Sequence, residues 1–244
     1  MTNHKPIALW AVPRSISTAF ERVFVERGDF TVFHEPFSVS YYYSTERRSS
    51  RYAEEEPKEE YEHGRVLKKI LTLGDKPVFI KDMAYHVAGF MTPEFVRNFR
   101  NTFIIREPRY VLASLYEMWP DFTFEEAGYE DLYRLFGYAT EEGQKPIVVD
   151  ASDLSENPER LVAAYCKKLG IPHKPEALSW EPREIPEWRM WEGWHDEAQQ
   201  STGIGKASRE EVTLPSELEA AYEHCLPYYE ALYEKRLRPA EVPE

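Results

Sequence analysis

Cysteine is scarce: the 244-residue chain carries two, Cys166 and Cys225. Each falls in an apolar helical pattern, so buried reduced thiols are expected and not a disulfide. No C-x-x-C or H-E-x-x-H spacing occurs, and no metal is expected. No apolar run approaches membrane-spanning length, and the opening MTNHKPIALW lacks the apolar core of a secretory signal. A cytoplasmic protein without membrane contact is the expectation. Positive charge is also short: 30 Lys and Arg stand against 43 Asp and Glu, a net charge of −13. That balance argues against general binding to nucleic acid or anionic lipid. An anionic ligand would have to be met by cations gathered locally. Finally, the glycine-rich loop G-x-x-x-x-G-K-[ST] is missing, which disfavours ordinary ATP or GTP hydrolysis.

What is present is a hydrophobic content of 42% with 14% aromatic residues, enough for a sizeable core. Short apolar runs alternate with helical patterns five times. The strands are expected at Ile7–Val12, Phe30–Phe33, Pro77–Ile80, Thr102–Ile105 and Pro146–Val149. Helices are expected at Ser17–Arg27, stopped by Gly28, at Arg65–Leu73, ending at Gly74, and at Thr92–Phe99. Others open at Pro108 and at Asn157-Pro158. The last helix is expected to open at a Ser216/Glu219 capping box. This is the pattern of a single α/β domain over 1–244, with a mostly parallel five-stranded sheet flanked by helices. Right-handed crossovers put the loops after the strands on one edge, where ligands bind such sheets. Arg14, Glu35, Lys81 and Arg106 would each stand there, just past a strand. Two stretches fit the pattern poorly. Residues 41–62 are charge-segregated, open on three consecutive tyrosines and carry three arginines, and form a candidate lid. Residues 174–206 are rich in proline and tryptophan and are expected to wrap irregularly.

The segment Ala8–Phe20, ALWAVPRSISTAF, joins the first strand to the first helix. A strand ending in such a turn leaves several N–H groups unpaired, and the helix start adds partial positive charge. Together they form an anion site, usually for a phosphate-like group. Arg14 adds a forked cation, and Ser15, Ser17 and Thr18 add donors. Pro13-Arg14-Ser15-Ile16-Ser17-Thr18 resembles the P-[KR]-S-G-[ST]-[ST] loop of sulfotransferases, which holds the 5′-phosphosulfate of 3′-phosphoadenosine 5′-phosphosulfate (PAPS). Ile16 replaces the usual Gly. A β-branched residue disfavours positive φ, so the loop is expected to turn without a left-handed residue there. Phe103–Tyr116, FIIREPRYVLASLY, is similar to the family's 3′-phosphate segment, with an Arg ending a strand and a Ser eight positions later. Here these are Arg106 and Ser114. Gly205-Lys206 matches a Gly-[Arg/Lys]-Trp element that closes over the 3′-phosphate. Ala207 replaces its aromatic, leaving Trp191 or Trp194 to stack on adenine.

The resemblance implies a P-loop NTPase-like fold and transfer of a sulfuryl group from PAPS to a hydroxyl or amine of a small molecule. The aromatics of the candidate lid point to an aromatic acceptor. Arg14 and the helix start would stabilise the leaving phosphate. Lys81 stands where cytosolic sulfotransferases keep a catalytic Lys, but Met83 replaces their His two positions on. The general base must be sought elsewhere: Glu35 first, with His34 and His86 as rivals. Two other classes stay open, a small-molecule kinase of the same architecture and a non-catalytic nucleotide-binding protein. Ile16, Met83 and Ala207 favour the latter. The sequence leaves acceptor identity and oligomeric state open.

Overall fold

The structure is a computed structural model that describes residues 5–72, 75–191, 193–205 and 212–238. Its strands are β1 (Ile7–Ala11), β2 (Thr31–His34), β3 (Val78–Met83), β4 (Arg100–Ile105) and β5 (Ile147–Asp150). Its helices are α1 (Ser17–Arg27), α2 (Ser38–Tyr43), α3 (His63–Thr72), α4 (Pro93–Val96), α5 (Pro108–Met118), α6 (Phe124–Ala127) and α7 (Tyr129–Glu141). These are followed by α8 (Ala151–Glu156), α9 (Pro158–Leu169), α10 (Asp196–Gln200) and α11 (Glu219–Tyr233). The strands form one sheet in the order β2-β3-β1-β4-β5. Every adjacent pair is parallel, with Leu9 level with Lys81 on one side and Thr102 on the other.

Alternation along β1 feeds two cores. Ala8 and Trp10 face a cluster with Phe95, Phe99, Leu132 and Cys225, whereas Ile7, Leu9 and Ala11 face Phe20, Phe24, Tyr165 and Cys166. The sheet is thus covered on both faces, as all-parallel sheets must be. Trp10 satisfies its indole N–H by donating to Asn101 Oδ1 at 2.8 Å. Both cysteines are buried and free. Burial pushes the Cys225 thiol up to about 12. No helix of the described residues is long and apolar enough to cross a membrane.

Two expectations need correction. β3 runs on through Lys81, Asp82 and Met83 and does not stop at Ile80. The Ser216/Glu219 capping box does not form: α11 starts at Glu219 itself, so Ser216 lies outside it in a 3₁₀ turn and its hydroxyl turns to Glu217 instead. Within residues 41–62, the end of α2 and a 3₁₀ turn at Glu59–Tyr61 are regular. Leu73 and Gly74 lie outside the described residues.

Candidate active site

The C-terminal edge of the sheet opens into a cavity of about 300 Å³. Its floor is the turn Pro13–Ile16 and the first turn of α1, where Ser17, Thr18 and Ala19 all line it. Those three amides open the helix and have no carbonyl a turn earlier to bond. Ile16 is the N-cap and supplies no side-chain cap. The positive end of α1 therefore faces the hollow bare. The turn is made by left-handed residues two apart, Arg14 at φ 54° and Ile16 at φ 56°. The expectation of a turn without a left-handed residue at Ile16 is overturned. Alternating handedness folds successive N–H groups toward one concave side, and the geometry prevails over the side chain's preference. Ser15 is buried and donates to Val12 O at 2.7 Å, closing the turn, so its hydroxyl braces the loop.

Arg14 and Arg106 both line this cavity, although 92 residues separate them. Arg106 donates from Nη1 to Arg14 O at 2.8 Å, and Arg14 donates from Nε to Ser114 Oγ at 2.9 Å. Ser114 therefore enters the site through Arg14 and does not itself line the cavity. Burial lowers the proton affinity of the Arg106 guanidinium, and the like charge of Arg14 lowers it further. Two cations held together in a hollow over a bare helix start form an anion site. Gly205 also lines the cavity, whereas Lys206 and Ala207 lie outside the described residues.

Glu35 follows β2 in a left-handed conformation at φ 44°. Its carboxylate accepts from Lys81 Nζ. Lys81 is fully buried inside β3, not past its end, and does not line the cavity; Glu35 does. Burial would raise the Glu35 carboxyl. The Lys81 charge, with His34, His86 and His195 behind it, outweighs this and holds it well below the usual carboxylate range. Glu35 is thus an ionised counter-ion with little proton affinity.

His86 is placed differently. Its Nδ1 lies 2.6 Å from Asp82 Oδ1. Asp82 is itself fixed by accepting from the amides of Phe37 (2.6 Å) and Met83 (2.8 Å). Burial raises Asp82, against the opposing hydrogen bond from His86. The other ring nitrogen, Nε2, is buried with no hydrogen-bond partner among the described residues, and His86 lines the cavity. A carboxylate-backed imidazole with one nitrogen unengaged is suited to accepting a proton. Around it stand Tyr42, Tyr85 and Met83, and beyond them Trp119, Trp191 and Trp194 complete an aromatic wall. Tyr42 and Tyr85 join hydroxyls at 3.2 Å, and Trp119 packs edge-on to Trp194 at 4.6 Å.

The arginines of segment 41–62 do not turn into the cavity. Arg51 pairs with Glu126 and Asp121 and lies 4.2 Å over the Trp119 ring, while Arg48 pairs with Glu125 at 2.8 Å. They clamp the segment to the chain around α6, behind the aromatic wall.

Sequence reasoning missed His195, which lines the cavity from the 174–206 wrap, and Glu21, which backs His34. No periodicity or motif marks either. His34, Glu35 and His195 bring three potential ligand atoms within 4.8 Å. Each is already engaged: Glu35 by Lys81, and the two rings by one another at 2.9 Å. A buried ammonium on the carboxylate disfavours a divalent cation there, and the set is a hydrogen-bonded chain.

Comparison with known proteins agrees with the geometry. A family model described as a sulfotransferase domain matches residues 5–236. The fold resembles the sulfotransferase domain from the curacin biosynthetic pathway, with a TM-score of 0.57, 14% identity, and coverage of 92% of this chain and 96% of that one. It also resembles the sulfotransferase domain from the Synechococcus PCC 7002 olefin synthase, with a TM-score of 0.59, 16% identity, and coverage of 100% and 98%. Among curated proteins, branched-chain-amino-acid aminotransferase-like protein 2 of Arabidopsis thaliana is 29% identical over 231 residues, covering 93% of this chain. Branched-chain-amino-acid aminotransferase-like protein 1 of Arabidopsis thaliana is 27% identical over 237 residues, covering 95% of this chain. The chain spans only 41% and 42% of those two proteins, so their names describe much longer molecules. With the match running through every strand and through the Arg14 and Arg106 loops, the chain belongs to the sulfotransferase-domain family.

Proposed function

We propose that the protein transfers a sulfuryl group from PAPS to a hydroxyl, or an amine, of a small molecule, releasing adenosine 3′,5′-bisphosphate. The observation that carries this reading is the single cavity shared by Arg14, Arg106 and the bare start of α1. A nucleotide with phosphates at both ends of its ribose needs two separated cationic contacts. Arg14 with the Ser15–Thr18 turn would take the 5′ phosphosulfate and Arg106 the 3′-phosphate, with Ser114 holding the Arg14 guanidinium in place. Sulfuryl transfer, like phosphoryl transfer, moves a group with spread negative charge, so alignment and fixed cations count for more than covalent assistance.

His86 is the base in this reading. Asp82 holds the ring so that Nε2 can accept the acceptor's proton as oxygen or nitrogen attacks sulfur. Glu35 fixes Lys81 beneath the reacting group and does not itself take the proton. The aromatic wall favours an acceptor with a flat or apolar body. Two buried free thiols accord with a reducing, cytoplasmic setting.

The test is nucleotide-dependent melting followed by turnover. Adenosine 3′,5′-bisphosphate should raise Tm, whereas ATP with magnesium should not. PAPS with a panel of phenols and alcohols should yield sulfated product detectable by mass. Stabilisation by ATP–magnesium alone would make the protein a kinase, and nucleotide binding with no turnover on any acceptor would make it a binding protein.

A further inference from the structure

Four side chains form an unbroken line from the protein interior to the cavity: Glu21, His34, His195 and Thr18. Glu21 is fully buried, and its Oε1 accepts from the Trp188 indole at 2.9 Å. Its Oε2 lies 2.7 Å from His34 Nδ1. His34 Nε2 is 2.9 Å from His195 Nε2, and His195 Nδ1 is 3.4 Å from Thr18 Oγ1 in the first turn of α1.

The proton count along this line is constrained. An indole nitrogen only donates, so Glu21 is an acceptor at Oε1, and as a carboxylate it accepts the Nδ1–H of His34 at Oε2. His34 then presents a lone pair at Nε2. With His34 neutral, the single proton of the ring-to-ring bond sits on His195 Nε2. His195 Nδ1 is left as a lone pair beside Thr18, at the floor of the anion site. A lone pair there repels an arriving oxyanion; an N–H would bind it.

We propose that His195 is a ligand for the 5′ phosphate end of the donor nucleotide, and that it takes up one proton as that anion binds. The proposal rests on the nucleotide reading above. The groups facing His195 are His34 and Glu35 at the end of β2, Lys81 from β3 and Arg14 from the turn after β1, with Asp196 and Glu197 next on its own chain. Burial, with the neighbouring cations Lys81 and Arg14, pushes His195 below its ordinary value, with Glu35 pulling the other way. A phosphate seated against Arg14 and the helix start offsets those cations, and His195 can then hold a second proton. It donates from Nδ1 to the anion while Nε2–H stays bonded to His34. Ligand binding raises the affinity for a proton, so a falling pH tightens ligand binding.

Calorimetric titration of adenosine 3′,5′-bisphosphate at pH 7.5, in buffers of different ionisation enthalpy, counts the protons taken up. The nucleotide's own phosphates titrate near about pH 6, so the readout is the difference between the wild type and His195→Gln. The wild type should take up more protons than the variant. Its affinity should also rise by up to about tenfold per pH unit from about pH 8 to 6.5, a slope the variant loses. His34→Asn keeps a donor to Glu21 but removes the ring-to-ring bond, and should lower the uptake even if His195→Gln folds poorly. Equal proton counts and equal slopes in wild type and both variants would overturn the proposal alone. No binding by the wild type would overturn the nucleotide reading and this proposal with it.

Discussion

Replacing Glu35 by Gln isolates the buried ion pair beneath the cavity. Lys81 has 0% solvent exposure and Glu35 7%, and the Lys81 ammonium donates to the Glu35 carboxylate. Removing one partner of such a pair costs about 3–5 kcal/mol, because the other charge stays buried without compensation. Gln keeps an oxygen for Nζ, a hydrogen bond worth about 1 kcal/mol, which leaves about 2–4 kcal/mol. At about 2–4 °C per kcal/mol for a chain of this length, a loss of about 3 kcal/mol lowers Tm by about 6–12 °C. The pH dependence has a definite sign. The Glu35 carboxyl is held well below its ordinary value of 4.5: burial alone would raise it, and Lys81 overcomes that. A group depressed in the folded state contributes stability that is complete above its unfolded value and lost as pH falls toward the folded one. The gap between wild type and variant should be constant from about pH 8 to 5 and narrow only below about pH 4.5. Guanidinium unfolding of the ligand-free protein across that range measures it. A variant within about 1 kcal/mol of wild type at pH 7, or a gap that widens on acidification, would refute the pairing argument.

Arg14→Ala and Arg106→Ala should each weaken adenosine 3′,5′-bisphosphate binding by about 1.5–3 kcal/mol, the scale of charge-assisted hydrogen bonds, and unchanged calorimetric affinity in both would remove the site. His86→Asn should lower turnover by roughly 10²–10⁴ with nucleotide affinity intact, whereas full activity would send the base role back to Glu35 or His34. At Ile16, a left-handed Cβ costs about 1–2 kcal/mol and glycine's extra unfolded freedom about 0.5–1 kcal/mol. Ile16→Gly and Ile16→Ala lose the same packing, but only Gly escapes the strain. The Gly variant should therefore unfold at higher guanidinium than the Ala variant, and the reverse order would show that the turn is unstrained.

The sheet was legible in the sequence because buried parallel strands are apolar runs. Arg14 and Arg106 were legible because each stands within three residues of a strand's end, and handed crossovers bring such positions to one edge. The end of β3 was not. Lys81 and Asp82 carry charge, and charge ordinarily marks where a buried strand stops. They are tolerated inside because Glu35, the Phe37 amide and His86 neutralise or bond them. At Ile16 the side chain's preference gave the wrong backbone, since the tertiary demand for a concave turn outweighs a local cost of about 1–3 kcal/mol. His195 stayed hidden for a different reason. It stands 161 residues from His34 in a stretch without period, so only the folded chain reveals their contact.

That separation has a consequence for how the molecule is made. The last strand ends at Asp150, so a nascent chain can complete its sheet well before the Trp188 indole and His195 leave the ribosome. Until they arrive, Glu21 and His34 lack the partners that satisfy them, and the hollow lacks one wall. The strands are therefore synthesised before the far wall of the pocket and before α11, whose Cys225 and Leu232 cover one face of the sheet, so the pocket and that face are completed together and late.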